Sequence, residues 1–281
     1  MTLALGIFAV PDATDPASTV GQVLAADRSG LDLVGVQDHP YQRRFFDTWT
    51  LLAYLAGRTE RLRLVPDVVN LPLRLPAVLA KSAASLDLLS GGRVELGLGA
   101  GAFWDAIEAM GGPVRTPKQS VDALEEAIVI LRGFWSGKRS VSFEGEHYRV
   151  KGVHPGPAPA HPIGIWLGAY GPRMLRLTGR LADGWLPSLG DSFISAEDAP
   201  RMQAAIDEAA RRAGRAPEAI ERAVNVVGLG ADPAGWADQL ARIASELRFT
   251  TLLVGVPREE PVAFVQRLGE DVAPRVRELV G

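Results

Sequence analysis

The adjacent residues Asp38 and His39 are the clearest candidates for acid–base chemistry. They directly follow a short apolar run at residues 33–37. A histidine can exchange a proton near neutral pH, and a neighbouring carboxylate can set its charge. As an alternative, the pair could simply cap a loop. The other three histidines lie together between residues 147 and 161, and no spacing among the four matches a metal-binding motif.

Residues 97–102 (GLGAGA) formally match the G-x-G-x-x-A fingerprint of dinucleotide-binding folds. That fold requires a long helix directly after the glycines, whereas residues 103–110 can form only a short helix before Gly111-Gly112-Pro113. We therefore predict that the backbone at Gly99, Ala100 and Gly101 approaches a flat ring or a phosphate closely. A tight turn without a ligand is the alternative.

Residues 167–173 (LGAYGPR) form a second glycine-rich turn, which leads into a predicted helix. Free N–H groups at a helix start, with Arg173 in the first turn, suit a phosphate. An ordinary turn with a solvated arginine is again the alternative.

Aromatic residues follow the same apolar runs and could line a pocket for a ring system, although some must belong to the core. They are Tyr41, Phe45, Phe46, Trp49, Phe103, Trp104 and Trp185. None of the four lysines ends an apolar run, which argues against a Schiff-base aldolase, and no His/Asp/Glu cluster indicates a metallohydrolase. Glycine-rich turns, one Asp-His pair and aromatics are typical of a site whose cofactor performs the chemistry.

Eight apolar runs without polar alternation predict strands buried on both faces of a parallel sheet. They are residues 4–8, 33–37, 62–69, 94–98, 163–167, 184–186, 224–229 and 250–254. Each is followed by a helical pattern, for example one with Pro76 in its first turn and Gly91 at its end. Eight strand–helix repeats predict an α/β fold, a single (β/α)8 TIM barrel spanning residues 1–281. The active site of such a barrel lies at the carboxyl ends of its strands.

The connection between the fourth helix and the fifth strand, residues 137–162, is unusually long. Residues 141–143 and 148–150 predict a hairpin around Gly145, followed by four prolines. Long connections in compact domains often cover a functional site. We therefore predict an insertion that forms a flap over the barrel mouth.

The overall composition narrows the class of protein. The chain has 281 residues, a net charge of −3 and no cysteine, which excludes disulfides and thiolate chemistry. No basic cluster indicates a nucleic-acid or membrane partner. The apolar run at residues 3–10 is short, lacks preceding basic residues and ends at Pro11, so we predict a strand and a cytoplasmic protein.

These features together resemble the luciferase-like monooxygenase superfamily, which includes FMN monooxygenases and deazaflavin (coenzyme F420) dehydrogenases and reductases. The matching stretches are VGVQDH at 34–39, TERLR at 59–63, LRLP at 73–76, LAK at 79–81, LDLLSGGR at 86–93, GLGAG at 97–101, FEGEHY at 143–148, WLG at 166–168, GPR at 171–173 and LADGW at 181–185. The last third of the chain matches only by its strand–helix pattern.

The resemblance implies a redox ring held in the barrel mouth against the third strand. Asp38 and His39 match the family's acidic-His pair beside the cofactor, where the histidine assists proton transfer. Asp67, Val68 and Asn70 match a bulged segment behind the ring, with a cis peptide between Asp67 and Val68. The segments that approach the cofactor's side chain and phosphate match Gly99, Ala100 and Gly101, and Gly168, Ala169, Tyr170, Gly171 and Arg173.

Several alternatives stay open within this resemblance. FMN would make the protein a monooxygenase supplied by a flavin reductase partner, whereas F420 would make it a hydride-transfer enzyme. Sugar-phosphate dehydrogenases of the family carry a glutamate where this chain has Ala102, which argues against that substrate. The substrate is expected to be a partly apolar small molecule, and the family implies a homodimer. A non-catalytic flavin-binding barrel is the alternative from another functional class, and a cofactor-free hydrolase is a more distant one.

Overall fold

Strands and helices alternate along the chain and build a parallel barrel. The computed structural model describes residues 3–190, 192–230 and 232–281. The strands are β1 Ala4–Ala9, β2 Leu33–Val36, β3 Arg63–Pro66, β4 Val69–Asn70, β5 Leu96–Gly99, β6 Val141–Glu144, β7 Arg149–Val153, β8 Ile165–Leu167, β9 Gly184–Trp185, β10 Ser188–Leu189, β11 Glu221–Val226 and β12 Thr251–Gly255. The α-helices are α1 Pro16–Arg28, α2 Thr48–Ala56, α3 Pro76–Ser90, α4 Trp104–Ala109, α5 Pro117–Trp135, α6 Pro172–Leu181, α7 Asp198–Arg212, α8 Trp236–Ser245, α9 Pro261–Arg267 and α10 Ala273–Val280.

The barrel strands pair in the order β3-β2-β1-β12-β11-β9-β8-β5-β4, and every pair is parallel. The third barrel strand is split into β3 and β4 at Asp67–Val68, where the peptide bond is cis. The sixth is split into β9 and β10. A bridge between Leu64 and Val94 brings β3 beside the chain entering β5 and closes the ring. The predicted (β/α)8 barrel and the predicted cis peptide are both confirmed.

Local sequence signals account for the helix ends. Asp15 caps α1 by accepting a hydrogen bond from the Ser18 amide at 3.0 Å. Thr116 and Gln119 form a capping box at the start of α5. Gly91 ends α3 in the left-handed conformation, with φ of 74°. The short helix predicted within residues 103–110 is α4.

Strand β11 is the element whose predicted position differs most. We expected it at residues 224–229, but it begins at Glu221 and ends at Val226. The charged residues at its start find partners elsewhere in the fold: Glu221 accepts hydrogen bonds from the hydroxyls of Thr250 and Thr251, and Arg222 pairs with Asp207. Those partners are distant in sequence. A prediction based on apolar residues does not include the charged residues at the start of the strand, so it places the strand too late along the chain.

The insertion after α5 is a hairpin, as predicted, but it does not form a flap over the barrel mouth. Strands β6 and β7 pair antiparallel beside α5. The Glu126 carboxylate of α5 accepts hydrogen bonds from the amides of Glu146, His147 and Tyr148 at 2.7–3.0 Å. Because one helix side chain satisfies three amides of the hairpin turn, the hairpin is held on the outer side of the barrel.

Two apolar clusters hold the fold together. The larger one lies between the barrel and its helices. The smaller one contains Leu33, Val65, Trp166, Leu186, Ala223 and Leu253, with Phe8 and Val68 packed against it. This smaller cluster consists largely of strand residues, and Val68 at the split in the third strand packs against it. Within the described ranges, no helix combines the length and apolar composition needed to span a bilayer.

Candidate active site at the barrel mouth

A cavity of about 1050 Å³ opens at the carboxyl ends of the barrel strands. Twelve of the thirteen predicted site residues line it, namely Asp38, His39, Asp67, Val68, Asn70, Gly99, Ala100, Gly101, Gly168, Tyr170, Gly171 and Arg173. Ala169 is the exception, because it is fully buried and its carbonyl oxygen accepts a hydrogen bond from Trp185 Nε1 at 2.9 Å. The strand ends therefore bring the two glycine-rich turns and the Asp-His pair to one site.

Asp38 is a buried carboxylate with a full set of partners. Its Oδ2 accepts from the Asn70 amide at 3.0 Å and from Arg74 Nε at 3.1 Å, and its Oδ1 accepts from Arg74 Nη2 at 3.0 Å. Arg74 also bonds Asp47, the residue that caps α2, at 2.9 Å. The negative charge of Asp38 is thus matched by a bidentate arginine. The sequence pattern had not identified Arg74 as part of the site.

His39 sits at the cavity wall among aromatic rings. Its Nδ1 lies 2.6 Å from the Tyr41 hydroxyl, and Phe103 approaches its ring edge-on at 5.6 Å. Burial lowers the pKa of His39, and the charge of Asp38 opposes this only in part. Burial also raises the pKa of Tyr41 to about 12, so this hydroxyl keeps its proton. We expected the neighbouring carboxylate to control the histidine; instead burial dominates, and the imidazole is neutral at neutral pH.

Val68 forms an apolar shelf in the lining of the cavity. A Cβ atom at Gly99 would lie 2.9 Å from Val68 Cγ2, and one at Gly168 would lie 3.2 Å from the same atom. The glycines of β5 and of the turn after β8 therefore leave the space that Val68 fills. Gly101 is required by its backbone, since its φ is 104°. The G-x-G-x-x-A match thus reflects packing against the bulged third strand together with a tight turn.

A chain of hydrogen bonds forms the wall opposite the Asp38–Arg74 pair. Asn225 Nδ2 donates to Asp67 Oδ1 at 3.1 Å and lies 3.5 Å from Ser188 Oγ, and the Ser188 amide donates to the Tyr170 hydroxyl at 3.0 Å. Burial raises the pKa of Asp67 to about 7, although the bond from Asn225 lowers it in part. Sequence reasoning missed Asn225; the signal was a single amide inside the apolar run 223–227.

Three buried side-chain oxygen atoms along these walls have no hydrogen-bond partner among the described residues. They are Asp67 Oδ2, Asn70 Oδ1 and Asn225 Oδ1. Buried polar atoms normally have partners. All three residues line the cavity, so a ligand with polar groups along its ring edge would supply the missing hydrogen bonds.

The starts of α5 and α6 form the cationic rim of the cavity. Lys118 and Arg173 both line it and both pair with Asp122, Lys118 at 2.8 Å. The hydrogen bond from Lys118, followed by Arg173, lowers the pKa of Asp122. One acid against two cations leaves net positive charge beside two helix N-termini, which suits a phosphate. The pattern predicted Arg173 at this rim but not Lys118.

The aromatic residues expected in the pocket divide between two roles. Tyr41 lines the cavity, and Phe103 lies against His39. Trp185 is instead a core residue that stacks on Phe249 with ring centroids 5.7 Å apart. Phe8, Tyr170 and Phe193 supply the other aromatic rings of the cavity. In the described part of the chain, no group of three acidic or histidine side chains is arranged to hold a metal ion.

Comparison with known proteins identifies the family. Residues 4–250 match the luciferase-like monooxygenase family. The chain belongs to the luciferase-like monooxygenase family. This confirms the predicted resemblance, and it makes the chain an oxidoreductase.

Proteins similar to this chain differ in cofactor and substrate. An F420-dependent glucose-6-phosphate dehydrogenase from Gordonia bronchialis is 32% identical over 231 residues, which cover 80% of this chain and 68% of that protein. The structure of an F420-dependent secondary alcohol dehydrogenase, in complex with an F420-acetone adduct, superposes with a TM-score of 0.82 at 18% identity and covers 98% of this chain and 99% of that one.

The oxygenating constituent of a Pseudomonas putida 3,6-diketocamphane monooxygenase, in complex with FMN, has a TM-score of 0.77 at 18% identity and covers 98% and 99% of the two chains. The relatives thus include both cofactor types that the sequence leads us to expect.

Proposed function

We propose that this luciferase-like barrel binds coenzyme F420 in its mouth cavity and exchanges a hydride with a partly apolar alcohol or carbonyl compound. The main support for the proposal is the Val68 shelf together with three buried oxygen atoms that have no partner in the part of the chain that the structure describes. The choice of F420 over FMN is supported by eight relatives that are 26–32% identical and are F420-dependent glucose-6-phosphate dehydrogenases.

The cavity fits a flat tricyclic ring with a phosphorylated side chain. The shelf at Val68 and the adjacent Gly99 and Gly168 would hold the ring face, because a larger side chain at either glycine would displace Val68. The unpartnered oxygens of Asn70 and Asn225 would accept hydrogen bonds from N–H groups at the ring edge. The rim formed by Lys118, Arg173 and the N-termini of α5 and α6 would hold the phosphate.

A bound deazaflavin supplies a two-electron hydride acceptor or donor. His39 then acts as the proton acceptor for a substrate hydroxyl, or as the donor to a carbonyl in the reverse direction. Its Nδ1 lies 2.6 Å from the Tyr41 hydroxyl, so Nε2 is the nitrogen left for the substrate. For Nε2 to accept a proton, Nδ1 must carry the ring hydrogen and donate it to the Tyr41 oxygen. Because burial keeps His39 neutral, its starting form at neutral pH is the base.

Asp38 and Arg74 act as positioning residues in this scheme. Asp38 joins the end of β2 to Asn70 on β4 and to Arg74, so it fixes the backbone that carries His39 relative to the shelf. Its carboxylate oxygens already accept hydrogen bonds from Arg74 and from the Asn70 amide.

The walls of the cavity support a substrate with an apolar part. Phe8, Leu186 and Phe193 contribute to the lining. Ala102 also lines the cavity. By the family resemblance, sugar-phosphate dehydrogenases carry a glutamate at this position, where this chain has only a methyl group. We therefore propose a substrate other than a sugar phosphate.

Equilibrium binding tests the cofactor directly. The purified protein is titrated against F420 and, separately, against FMN, with ligand fluorescence as the readout. Quenching of F420 at micromolar concentration without comparable FMN binding supports hydride transfer, and secondary alcohols and their ketones are then screened for a change in deazaflavin absorbance. Binding of FMN alone refutes the choice of F420 and restores the monooxygenase alternative, for which a flavin reductase partner is required.

We further propose that residues 1–281 form one barrel domain and that the chain is a homodimer. Helix α3 and its N-cap support the dimer, because Leu75, Val78 and Leu89 point apolar side chains into solvent, and Leu89 is 83% exposed. Tyr54 on α2 is also exposed. Exposed apolar side chains grouped on one face are typical of protein interfaces. The cytoplasmic location stays a prediction from the sequence.

A further inference from the structure

The mouth cavity contains two buried carboxyl groups whose surroundings differ sharply. Asp38 accepts three hydrogen bonds, two of them from the Arg74 guanidinium. Asp67 is also buried, with 5% of its surface exposed, but in the described part of the chain its only donor is the neutral amide of Asn225. Its second oxygen, Oδ2, has no partner among the described residues.

We propose that Asp67 recognises the ring bound in the mouth cavity as a neutral carboxylic acid, with Asn225 holding Oδ1 and Oδ2 donating a hydrogen bond to a ring carbonyl. This inference rests on the proposed function for the identity of the ligand. Asp67 is thus a binding residue for the cofactor and not a partner of the His39 proton transfer.

The packing around Asp67 favours the uncharged form. Its Oδ2 lies 2.6 Å from the position that a Cβ atom would take at Gly35, so the carboxyl group is packed against the inner face of β2. Leu253 of β12 lies beside the same position. A carboxylate with one unpaired oxygen in an apolar environment is costly, whereas a carboxylic acid turns that oxygen into a donor. The raised pKa of about 7, which burial causes, agrees with this geometry.

Charged groups on the neighbouring elements do not compensate Asp67. From β2 and the loop after it, Asp38 is committed to Arg74, and His39 is neutral. From the turn after β8, Tyr170 reaches Asp67 only through Ser188 and Asn225. The remaining charged side chains of the cavity, Lys118 and Arg173, pair with Asp122 at the rim.

A flavin-type ring presents carbonyl oxygens as well as N–H groups along its pyrimidine edge. Asn70 and Asn225 supply acceptors for the N–H groups, but a carbonyl needs a donor. A neutral Asp67 supplies that donor from within the cavity wall, as buried carboxylic acids do in other enzymes. Ionisation would replace the donor with a negative charge facing a carbonyl oxygen and would weaken binding.

The test is the pH dependence of F420 binding to the wild type, Asp67→Asn and Asp67→Ala, followed by fluorescence from about pH 5.5 to about pH 8.5. We expect the Kd of the wild type to rise about tenfold or more across this range, because the donor form is lost. Asp67→Asn keeps a donor at every pH, so its Kd should follow only the ionisation of F420 itself. Asp67→Ala should bind about fivefold or more weakly even at the acidic end.

Each outcome decides the inference. The proposal is overturned if Asp67→Asn shows the same pH dependence as the wild type, or if Asp67→Ala binds as tightly as the wild type. A wild type that binds F420 with only the pH dependence of the ligand overturns the inference and leaves the proposed function intact. Absence of F420 binding at every pH overturns both. If Asp67→Ala does not fold, the comparison of the wild type with the isosteric Asp67→Asn decides alone, with near-ultraviolet circular dichroism confirming its fold.

Discussion

Arg74 donates two hydrogen bonds to the carboxylate of Asp38, from Nε to Oδ2 at 3.1 Å and from Nη2 to Oδ1 at 3.0 Å. The Asp38 side chain is fully buried, and among the described residues the arginine is its only cationic partner. The acid next to His39 is therefore a structural anchor of the mouth, since it connects β2, β4 and the turn before α3.

Replacing Arg74 with glutamine should destabilise the protein strongly. A buried carboxylate left without its cation typically costs about 3–5 kcal/mol. Urea unfolding measures the change. Arg149→Gln is the matched control, because Arg149 pairs with Glu144 in solvent, where an ion pair contributes about 0–1 kcal/mol. Equal stability losses in the two variants would contradict the anchoring role of Arg74.

The imidazole of His39 should titrate below the ordinary histidine pKa of 6.5, because burial disfavours its charged form. Carbon–proton NMR of the histidine rings follows the four midpoints, and the signal missing in His39→Gln identifies this residue. A substrate-oxidising activity that uses the neutral base should fall only below this midpoint, and His39→Gln should lose turnover while keeping F420 affinity. Unchanged turnover in His39→Gln would contradict a catalytic role for His39 and would favour the alternative of a non-catalytic flavin-binding barrel.

Gly97→Ala should disrupt the barrel near the mouth. The added Cβ would lie 2.2 Å from the backbone oxygen of Pro66, an atom that cannot move without shifting β3. Overpacking of this kind costs about 1–3 kcal/mol or more. Gly57→Ala is the control, because its Cβ would find ordinary contact at 3.7 Å. Thermal unfolding should separate the two variants; similar melting temperatures would show that β3 and β5 are not packed as described.

Asp67→Asn should stabilise the folded protein above neutral pH. The pKa of Asp67 is about 7 in the folded protein and 3.8 as the reference for the unfolded chain. The folded state therefore retains this proton between those values, and the stability that the group contributes is lost as the pH rises from about 4 to about 7. Near pH 8 the variant should be more stable by about 1–4 kcal/mol, and the advantage should shrink toward pH 4. Chemical unfolding of both proteins across this range provides the measurement, and a pH-independent difference would speak against a raised pKa.

The exposed apolar patch on α3 should hold the homodimer together. Leu89→Glu places a charge at the most exposed of its side chains and should shift the protein toward the monomer in sedimentation velocity. Leu279→Glu is the control, because Leu279 is also exposed but lies on α10. A dimer that survives Leu89→Glu, or a wild type that is monomeric, would refute an interface at this patch.

Most strands and helix ends of the barrel could be predicted from local sequence patterns. Buried parallel strands appear as short apolar runs, and caps such as Thr116 with Gln119 act within one helical turn. The chemistry-bearing residues that follow the strands were correctly expected to meet, because the carboxyl ends of parallel strands converge at one end of a barrel. The cis peptide after Asp67 followed from the family resemblance and not from any physical property of the local sequence.

The electrostatic character of the site depended on contacts between residues far apart in the chain. Arg74 reaches Asp38 across 36 positions, and Asn225 reaches Asp67 across 158. The hairpin was placed on α5 instead of over the mouth by Glu126, 20 to 22 positions before the amides it binds. Local sequence specifies which residues follow a strand, because backbone preference and apolar periodicity act over a few residues. Tertiary structure alone decides which buried polar group finds a partner, because the arginine beside Asp38 and the amide beside Asp67 come from distant parts of the chain.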